Sequence, residues 1–383
     1  MRIHHFLHPH DAQGGAPLSH VSNLAKAQAQ SGHEVGITLL DAGSRFINHE
    51  LLARLGQFCS LGVNHLAIEQ GNRFTRSWSA RRAFRDAARL VRKTRPDILH
   101  GHDLKGGHLA CHVHKSIKTS KSVYSPHGAP MCTDQTGADQ KGTNGNPWPF
   151  STSQKRLWKH IDGLLFESAH CEKTYIQRFG PPACATRIIY DGLREEQFAP
   201  RQIIDLASDF LFMGELKPQQ GINTLIKALA RMKKHHTTSA LIVGSGPEEK
   251  ELRAQVDRYG LSHEIFFNAP LVTNTAFLKG GCLVLPSRDG AIPPALLPAA
   301  AAGMPMILTD MGGIKEVIGQ VKMPLIPPND TNALQEQLVA YLTNPNQFLG
   351  RAAVLKKRIA KYFTLERMNT EVEQFYQSLM TKD

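Results

Sequence analysis

No apolar run among the 383 residues approaches the about 20 that a helix needs to cross a bilayer; Leu164–Phe166 and Leu296–Ala302 are among the longest. The opening MRIHHFLHPHD has neither an apolar signal-peptide core nor a small-residue cleavage site. CxxC spacing is missing from the six cysteines (Cys59, Cys111, Cys132, Cys171, Cys184, Cys282). That argues against a disulfide framework or a structural zinc site and for a reducing cytosol. There is no internal repeat and no low-complexity tract. Apolar residues at 41% and charged residues at 20% exclude disordered, collagenous and coiled-coil classes. Acidic residues are the scarcer charge, and the shortage is local. Residues 1–195 hold 25 Lys and Arg against 15 Asp and Glu, whereas residues 196–383 hold 20 against 18. A basic half attracts nucleic acid, anionic lipid or anionic substrates through the same field.

What is present is an alternation of short apolar runs with longer amphipathic stretches, the pattern of βαβ units and a parallel sheet. Met1–Leu7, Val35–Leu40, Asp97–His100, Ser122–Tyr124 and Gly163–Phe166 read as strands of a first series, with helices over Leu18–Ser31 and Arg81–Thr94. A second series opens near Asp209. It has strands Phe210–Met213, Ala240–Val243, Glu264–Phe267, Cys282–Pro286 and Met306–Thr309, and helices Ile222–His235, Glu248–Tyr259 and Ala295–Ala302. The length favours two domains. The expectation is two facing, doubly wound α/β domains, 1–198 and 199–360, joined near Phe198–Arg201, with a site at the carboxyl ends of their strands. The polar segment Met131–Pro149 is too long for a plain connector and reads as a loop at that site.

QGGAPLSHVSNLAKAQAQSGHEVGITLL, RPDILHGHD, VYSPHG and IIYDGLREEQFAP resemble successive stations of the family-4 glycosyltransferases. FLFMGELKPQQGINTLIKALA, LIVGSGPEEKELRAQVDRYGL and LVLPSRDGAIPPALLPAAAAGMPMILTDMGGIKEVI continue the resemblance in order. It covers roughly residues 1–360 and implies a GT-B fold of two Rossmann-like domains. A nucleotide-sugar donor is then expected on the second domain and an acceptor on the first. The last helix, within 361–383, is expected to cross back to the first domain. The family stabilises the leaving diphosphate with a basic pair and backbone N–H groups rather than a tightly bound metal. It holds the donor sugar and ribose with two glutamates eight residues apart.

This chain departs from the pattern at that site. The two glutamate positions fall on Gly290 and Pro298, and Asp289 is the nearest carboxylate to the first. Pro298 inside a helix costs about 3 kcal/mol, so the helix is expected to start late or kink, with Pro294 suited to its first position. The basic pair falls on Glu215 and Gln220; Lys217 matches a variant with the cation two residues on. The resemblance implies Lys217, Gln220, Gly290, Pro298, Gly312, Gly313 and Glu316 as the donor side. Glu316 has the alternative of a plain helix cap. Gly14 and Gly15 fit either a phosphate approach or a simple turn. His127 matches the family histidine that faces the donor sugar, and with Asp289 it is the candidate catalytic pair.

Nineteen histidines raise a metal reading, but His4, His5, His8 and His10, or His108, His112 and His114, lack a completing carboxylate or cysteine, and no metal is expected. Arg81, Arg85, Arg89 and Arg92 form one basic helical face opposite Phe84, Ala87, Ala88 and Val91. That face is either a solvated stripe or a contact for anionic lipid at the inner face of the cell membrane. No nucleic-acid recognition motif accompanies it. The reading is a retaining glycosyltransferase, without a cofactor, that uses a UDP- or GDP-sugar and a glycan or lipid-linked acceptor of a bacterial surface polysaccharide or lipopolysaccharide. The alternative is a catalytically silent GT-B relative, a binding or scaffold subunit beside an active transferase.

Overall fold

The computed structural model describes residues 1–8, 15–41, 49–68, 73–117, 119–127, 160–201 and 204–381. It divides into two units, Met1–Gly192 with Leu365–Asp383, and Leu193–Thr364. Gly14, His10 and the Met131–Pro149 segment lie outside the described residues.

The first unit is built on β1 (Arg2–Leu7), β2 (Glu34–Asp41), β3 (Val63–Ala67), β4 (Ile98–His102), β5 (Lys121–Ser125), β6 (Gly163–Phe166) and β7 (Ala185–Ile188). All neighbours pair in parallel, in the order β3-β2-β1-β4-β5-β6-β7. Parallel strands are covered on both faces, so they read as continuous apolar runs. β1 keeps that burial with polar residues, since His4 and His5 are both 0% exposed. The helices here are α1 (Gly15–Gln30), α2 (His49–Gly56), α3 (Arg73–Thr94), α4 (Asp103–His114) and α5 (Ala169–Phe179).

The second unit repeats the design with β8 (Ser208–Met213), β9 (Ala240–Val243), β10 (Ile265–Asn268), β11 (Gly280–Leu285), β12 (Met306–Thr309) and β13 (Leu325–Ile326). The order is β10-β9-β8-β11-β12-β13, again parallel. In each sheet the order reverses beside the first strand, the switch point where such sheets bind ligands. Helices α6 (Ile222–Met232), α7 (Glu249–Arg258), α8 (Thr273–Leu278), α9 (Leu296–Ala301), α10 (Gly312–Ile318), α11 (Thr331–Thr343) and α12 (Pro345–Tyr362) complete this unit. α13 (Leu365–Met380) returns to the first unit, where Met368, Val372, Phe375, Tyr376 and Leu379 pack with Ile3, Leu24, Ile98 and Val123.

The boundary falls at Gly192–Leu193, upstream of the expected Phe198–Arg201. Residues after it are tied to the second unit. Leu193 N donates to Phe363 O at 2.9 Å, Lys356 Nζ to Phe198 O at 3.0 Å, and the Arg201 guanidinium to the carbonyls of Phe277, Gly280 and Gly281. Pro294 sits in a turn before α9, not at its first position, and the helix opens at Leu296. Pro298 therefore falls in the first turn, where backbone N–H groups have no intrahelical partner, and the interior penalty does not arise.

Close packing of α4 on its sheet depends on the absence of side chains. A Cβ on Gly106 would lie 2.3 Å from the Phe6 carbonyl oxygen of β1. Asp103 opens the helix with φ of +60°, its carboxylate accepting from the N–H groups of His8, Lys105 and Gly106. We predict that Gly106→Ala costs about 2 kcal/mol or more of stability in urea unfolding, because backbone must move. By contrast Gly350→Ala, in α12 with nothing within 4 Å, is expected to stabilise by about 0.5–1 kcal/mol.

Candidate functional site

In the first unit, the parallel register sets His5 of β1 opposite His100 of β4. Period-two alternation keeps His102 on the same side as His100. His127 follows β5, α1 contributes His20 and Gln28, and Glu167 and Asp191 lie just past β6 and β7. The result is a row of hydrogen bonds. Gln28 Oε1 is 2.8 Å from His5 Nε2, His5 Nδ1 is 3.0 Å from His102 Nε2, and His102 Nδ1 is 2.9 Å from His127 Nε2. His127 Nδ1 faces Glu167 Oε2 at 3.8 Å. His100 is held separately, by Tyr376 Oη at 2.7 Å and Ser125 Oγ at 2.8 Å.

Burial disfavours the charged form of these rings. It pushes His5 down to about 4, and, with neighbouring histidines adding, holds His100 and His102 well below the usual histidine range. His20 differs. Burial alone would lower it, but the Asp191 carboxylate, 2.7 Å from Nδ1, and Glu167 outweigh that and raise its pKa. Asp191 is correspondingly held low, burial being overcome by His20 and then His127. His20, His127, Glu167, Asp191, Ser125 and Met368 all line one pocket.

Two histidine trios bring one ring nitrogen each within 4.8 Å: His5 with His100 and His102, and His20 with His102 and His127. A metal needs lone pairs that converge on one point. The His102 and His127 rings lie within 13° of parallel, with centroids 5.2 Å apart and facing nitrogens 2.9 Å apart. The two nitrogens thus point at each other along one line, which is hydrogen-bond geometry. The described histidines grouped in the sequence are engaged as follows. His4 bonds Thr38, His8 meets Lys105, His112 packs edge-on to Phe84, and His114 reaches Ser120.

In the second unit three loops meet at the carboxyl ends of β8, β11 and β12. The 3-10 turn Pro218–Gln220 joins the β11 loop through Arg288 N to Gln219 O (2.7 Å) and Ser287 Oγ to Gln220 Oε1 (3.5 Å). Gly313 N donates to Gly290 O at 2.9 Å. Gly221, at φ +69°, would carry its Cβ 2.0 Å from the Pro286 carbonyl oxygen. So Gln220, Gly290 and Gly313 come together. Gly312 begins α10, Glu316 lies within it with its carbonyl accepting from Arg358, and Pro298 lies in α9. The side chains are less available than expected. Lys217 Nζ is paired with Glu215 Oε2 at 2.9 Å. Asp289 is 6% exposed, and its Oδ1 accepts from Ala291 N at 3.1 Å, so the loop itself uses it. A cation not anticipated, Arg288, stands beside them. It donates to Asn223 Oδ1 and Thr224 Oγ1, its Nε is buried without a hydrogen-bond partner, and burial lowers its pKa against the pull of Glu248.

Two family models match in tandem: "Glycosyltransferase Family 4" over residues 18–197 and "Glycosyl transferases group 1" over residues 194–361. The chain belongs to this glycosyltransferase family. Among curated relatives, the glycogen synthase of Mycobacterium tuberculosis H37Rv is 25% identical over 74% of this chain and 69% of its own. The O-antigen chain mannosyltransferase C of Escherichia coli is 29% identical over 45% and 47%. Among solved structures, sucrose-phosphate synthase from Thermosynechococcus elongatus aligns over 100% of both chains at TM-score 0.80 and 18% identity. Anabaena HepE, in complex with UDP and glucose, aligns over 99% of this chain and 100% of its own at TM-score 0.74 and 16% identity. This glycosyltransferase therefore has the GT-B fold. None of its described helices is long and apolar enough to cross a membrane.

The His20–Asp191 pair gives a pH signature. A raised histidine pKa contributes stability fully below the ordinary 6.5, and that contribution fades as pH rises through the folded value. The lowered Asp191 contributes above its ordinary 3.8 and fades as pH falls. The coupling in a double-mutant cycle of His20→Gln and Asp191→Asn is expected to be about 1–3 kcal/mol between those limits. It should shrink above pH 6.5 in urea titrations; a coupling that grows with rising pH would overturn the assignment.

Proposed function

We propose that this glycosyltransferase transfers a sugar, with retention, from a UDP- or GDP-sugar to a glycan or lipid-linked acceptor of a bacterial surface polysaccharide or lipopolysaccharide. The donor lies on the second unit, against Lys217, Gln220, Gly290, Pro298, Gly312, Gly313 and Glu316. The first unit carries the acceptor and contributes His127 toward the donor sugar and Gly14 and Gly15 toward its phosphates. No cofactor is required beyond the nucleotide-sugar. In support, one relative is by name an O-antigen chain mannosyltransferase, and HepE is in complex with UDP and glucose on the same fold. One observation carries the reading: loops after β8, β11 and β12 are drawn together by backbone contacts at the switch-point end of the sheet.

Backbone can cradle a diphosphate, but here little side-chain charge assists it. Lys217 must leave Glu215 to reach a donor. Neither Gly290 nor Pro298 has a side chain that can accept from ribose or sugar hydroxyls. Donor binding is therefore weak. The same features favour a second reading, a silent relative beside an active transferase.

Calorimetry with UDP- and GDP-sugars separates the two. Weak heat with one donor class supports transfer; no heat with any nucleotide-sugar leaves the silent relative. The triple variant Gly290→Glu, Pro298→Glu and Gln220→Lys regains charged hydrogen bonds worth about 1.5–3 kcal/mol each. It should bind donor at least about tenfold more tightly. An unchanged affinity would show that the loops no longer form a donor site.

The exposed face of α3 supports a membrane-surface contact. Arg81, Arg85, Arg89 and Arg92 are solvent-exposed, Phe84, Ala87 and Val91 are buried beneath, and Trp78 is 55% exposed near the helix start. Asp86 offsets part of this charge, 3.7 Å from Arg89. Sedimentation with anionic vesicles should exceed that with zwitterionic ones and fall as salt rises. Replacing the four arginines by Gln should abolish it; retention by that variant would exclude this face.

A further inference from the structure

Five side chains in the first unit form one row from the pocket into the core: Glu167, His127, His102, His5 and Gln28. We propose that this row is a polarised relay whose ends fix the tautomer of His127, making Glu167, His102, His5 and Gln28 positioning residues for that histidine. The inference rests on the reading of His127 as a site residue for its relevance to transfer, though not for its test.

A neutral imidazole carries one N–H and one lone pair. In a row of such rings each ring passes on its neighbour's choice, so the whole row has only two polarities. The rings are suited to this because burial keeps His5 and His102 uncharged at neutral pH. The ends decide which polarity holds. The Glu167 carboxylate lies 3.8 Å from His127 Nδ1, beyond a direct hydrogen bond, and its charge favours the N–H of His127 on that nitrogen. His127 Nε2 then accepts from His102 Nδ1–H, and His102 Nε2 accepts from His5 Nδ1–H. His5 Nε2 is left as an acceptor and needs a donor, which is the Gln28 amide NH2.

The inner end is compatible with that polarity. Gln28 reaches His5 with one amide atom and the Tyr376 hydroxyl with the other. With the NH2 toward His5, Oε1 accepts from the Tyr376 hydroxyl, so the amide can serve the direction that Glu167 sets. In that direction all three rings carry their proton on Nδ1. That is the tautomer free histidine disfavours in water, so its presence in three linked rings is a sharp signature.

Two consequences bear on the site. His127 Nε2 is engaged by His102, and its Nδ1 faces Glu167, a residue that lines the same pocket. His127 also cannot switch tautomer alone, since switching moves the proton of every ring in the row to its other nitrogen and turns the Gln28 amide over.

The test is long-range 1H–15N correlation on the full chain labelled with 15N-histidine, with His127 assigned through His127→Gln. Expected is a single Nδ1–H pattern for His127, with the same pattern in two further rings that are lost in His102→Asn and His5→Asn. An Nε2–H pattern for His127, or a tautomer mixture, overturns the relay. Glu167→Gln, at a partly exposed position (side chain 18% exposed), should leave the thermal melt in place while turning the His127 resonances into a mixture. An unchanged His127 pattern in that variant also overturns the proposal. If transfer is measurable, Glu167→Gln should lower kcat with little effect on donor KM. If no donor binds but the Nδ1–H pattern stands, the transferase reading fails and the relay survives.

Discussion

A histidine buried between the layers of a parallel sheet must give up its charge and satisfy both ring nitrogens at once. The first unit meets that constraint repeatedly. His100 is held between Tyr376 and Ser125, and His5 and His102 lean on each other, whereas His4 meets it at one nitrogen only, Nε2 against Thr38, with Nδ1 left without a hydrogen-bond partner. Each solution needs a partner from a different element, so the histidines tie β1, β2, β4, β5, α1 and the returning α13 into one polar seam through an otherwise apolar core. The seam helps to explain why the last helix belongs to this unit. Tyr376 is 0% exposed, and its hydroxyl closes the His100 end of the network as its ring packs in the core.

Legibility in the sequence followed the strength of the apolar signal. Gly163–Phe166, Ala240–Val243 and Met306–Thr309 are short, fully buried runs, and they read as strands with those same limits. Val63–Ala67 and Ala185–Ile188 form the two edges of the first sheet, are only partly buried, and carry no comparable signal. α11 buries only Leu334 and Leu338, and passed unnoticed. Pro298 shows the limit of a local rule. Its cost depends on where the helix begins, and that start moved to Leu296 when the two prolines before it were left to a turn.

The histidine row was harder to anticipate for a different reason. RPDILHGHD states the alternation that puts His100 and His102 on one face, but not what lies opposite. His5 meets them only because β1 pairs with β4, and His127 only because β5 lies next in order. Strand order is a long-range property, and residues 97 positions apart in sequence, such as His5 and His102, are brought to hydrogen-bond distance by it. His127 was singled out by resemblance, whereas the four residues linked to it in the row were not singled out for that place.

The two units have diverged under different kinds of constraint. In the second, the loop geometry is enforced by glycines whose Cβ would strike backbone: Gly221 against Pro286, Gly244 against Gly214, and Gly313 near Gly290. Such contacts couple loop to loop, so altering one disturbs the packing of the sheet's end. Side chains add to this, with Ser287 joining Gln220, Asp289 accepting from Ala291 N and Arg288 donating to Asn223 and Thr224. Gly290 and Pro298 are accommodated without disturbing the core, since α9 takes Pro298 in its first turn. The arrangement of these loops rests on backbone packing, and fold similarity measures that backbone. In the first unit the reverse holds. The polar side chains are themselves the packing, and His102 or His5 cannot be exchanged without leaving a buried partner unsatisfied.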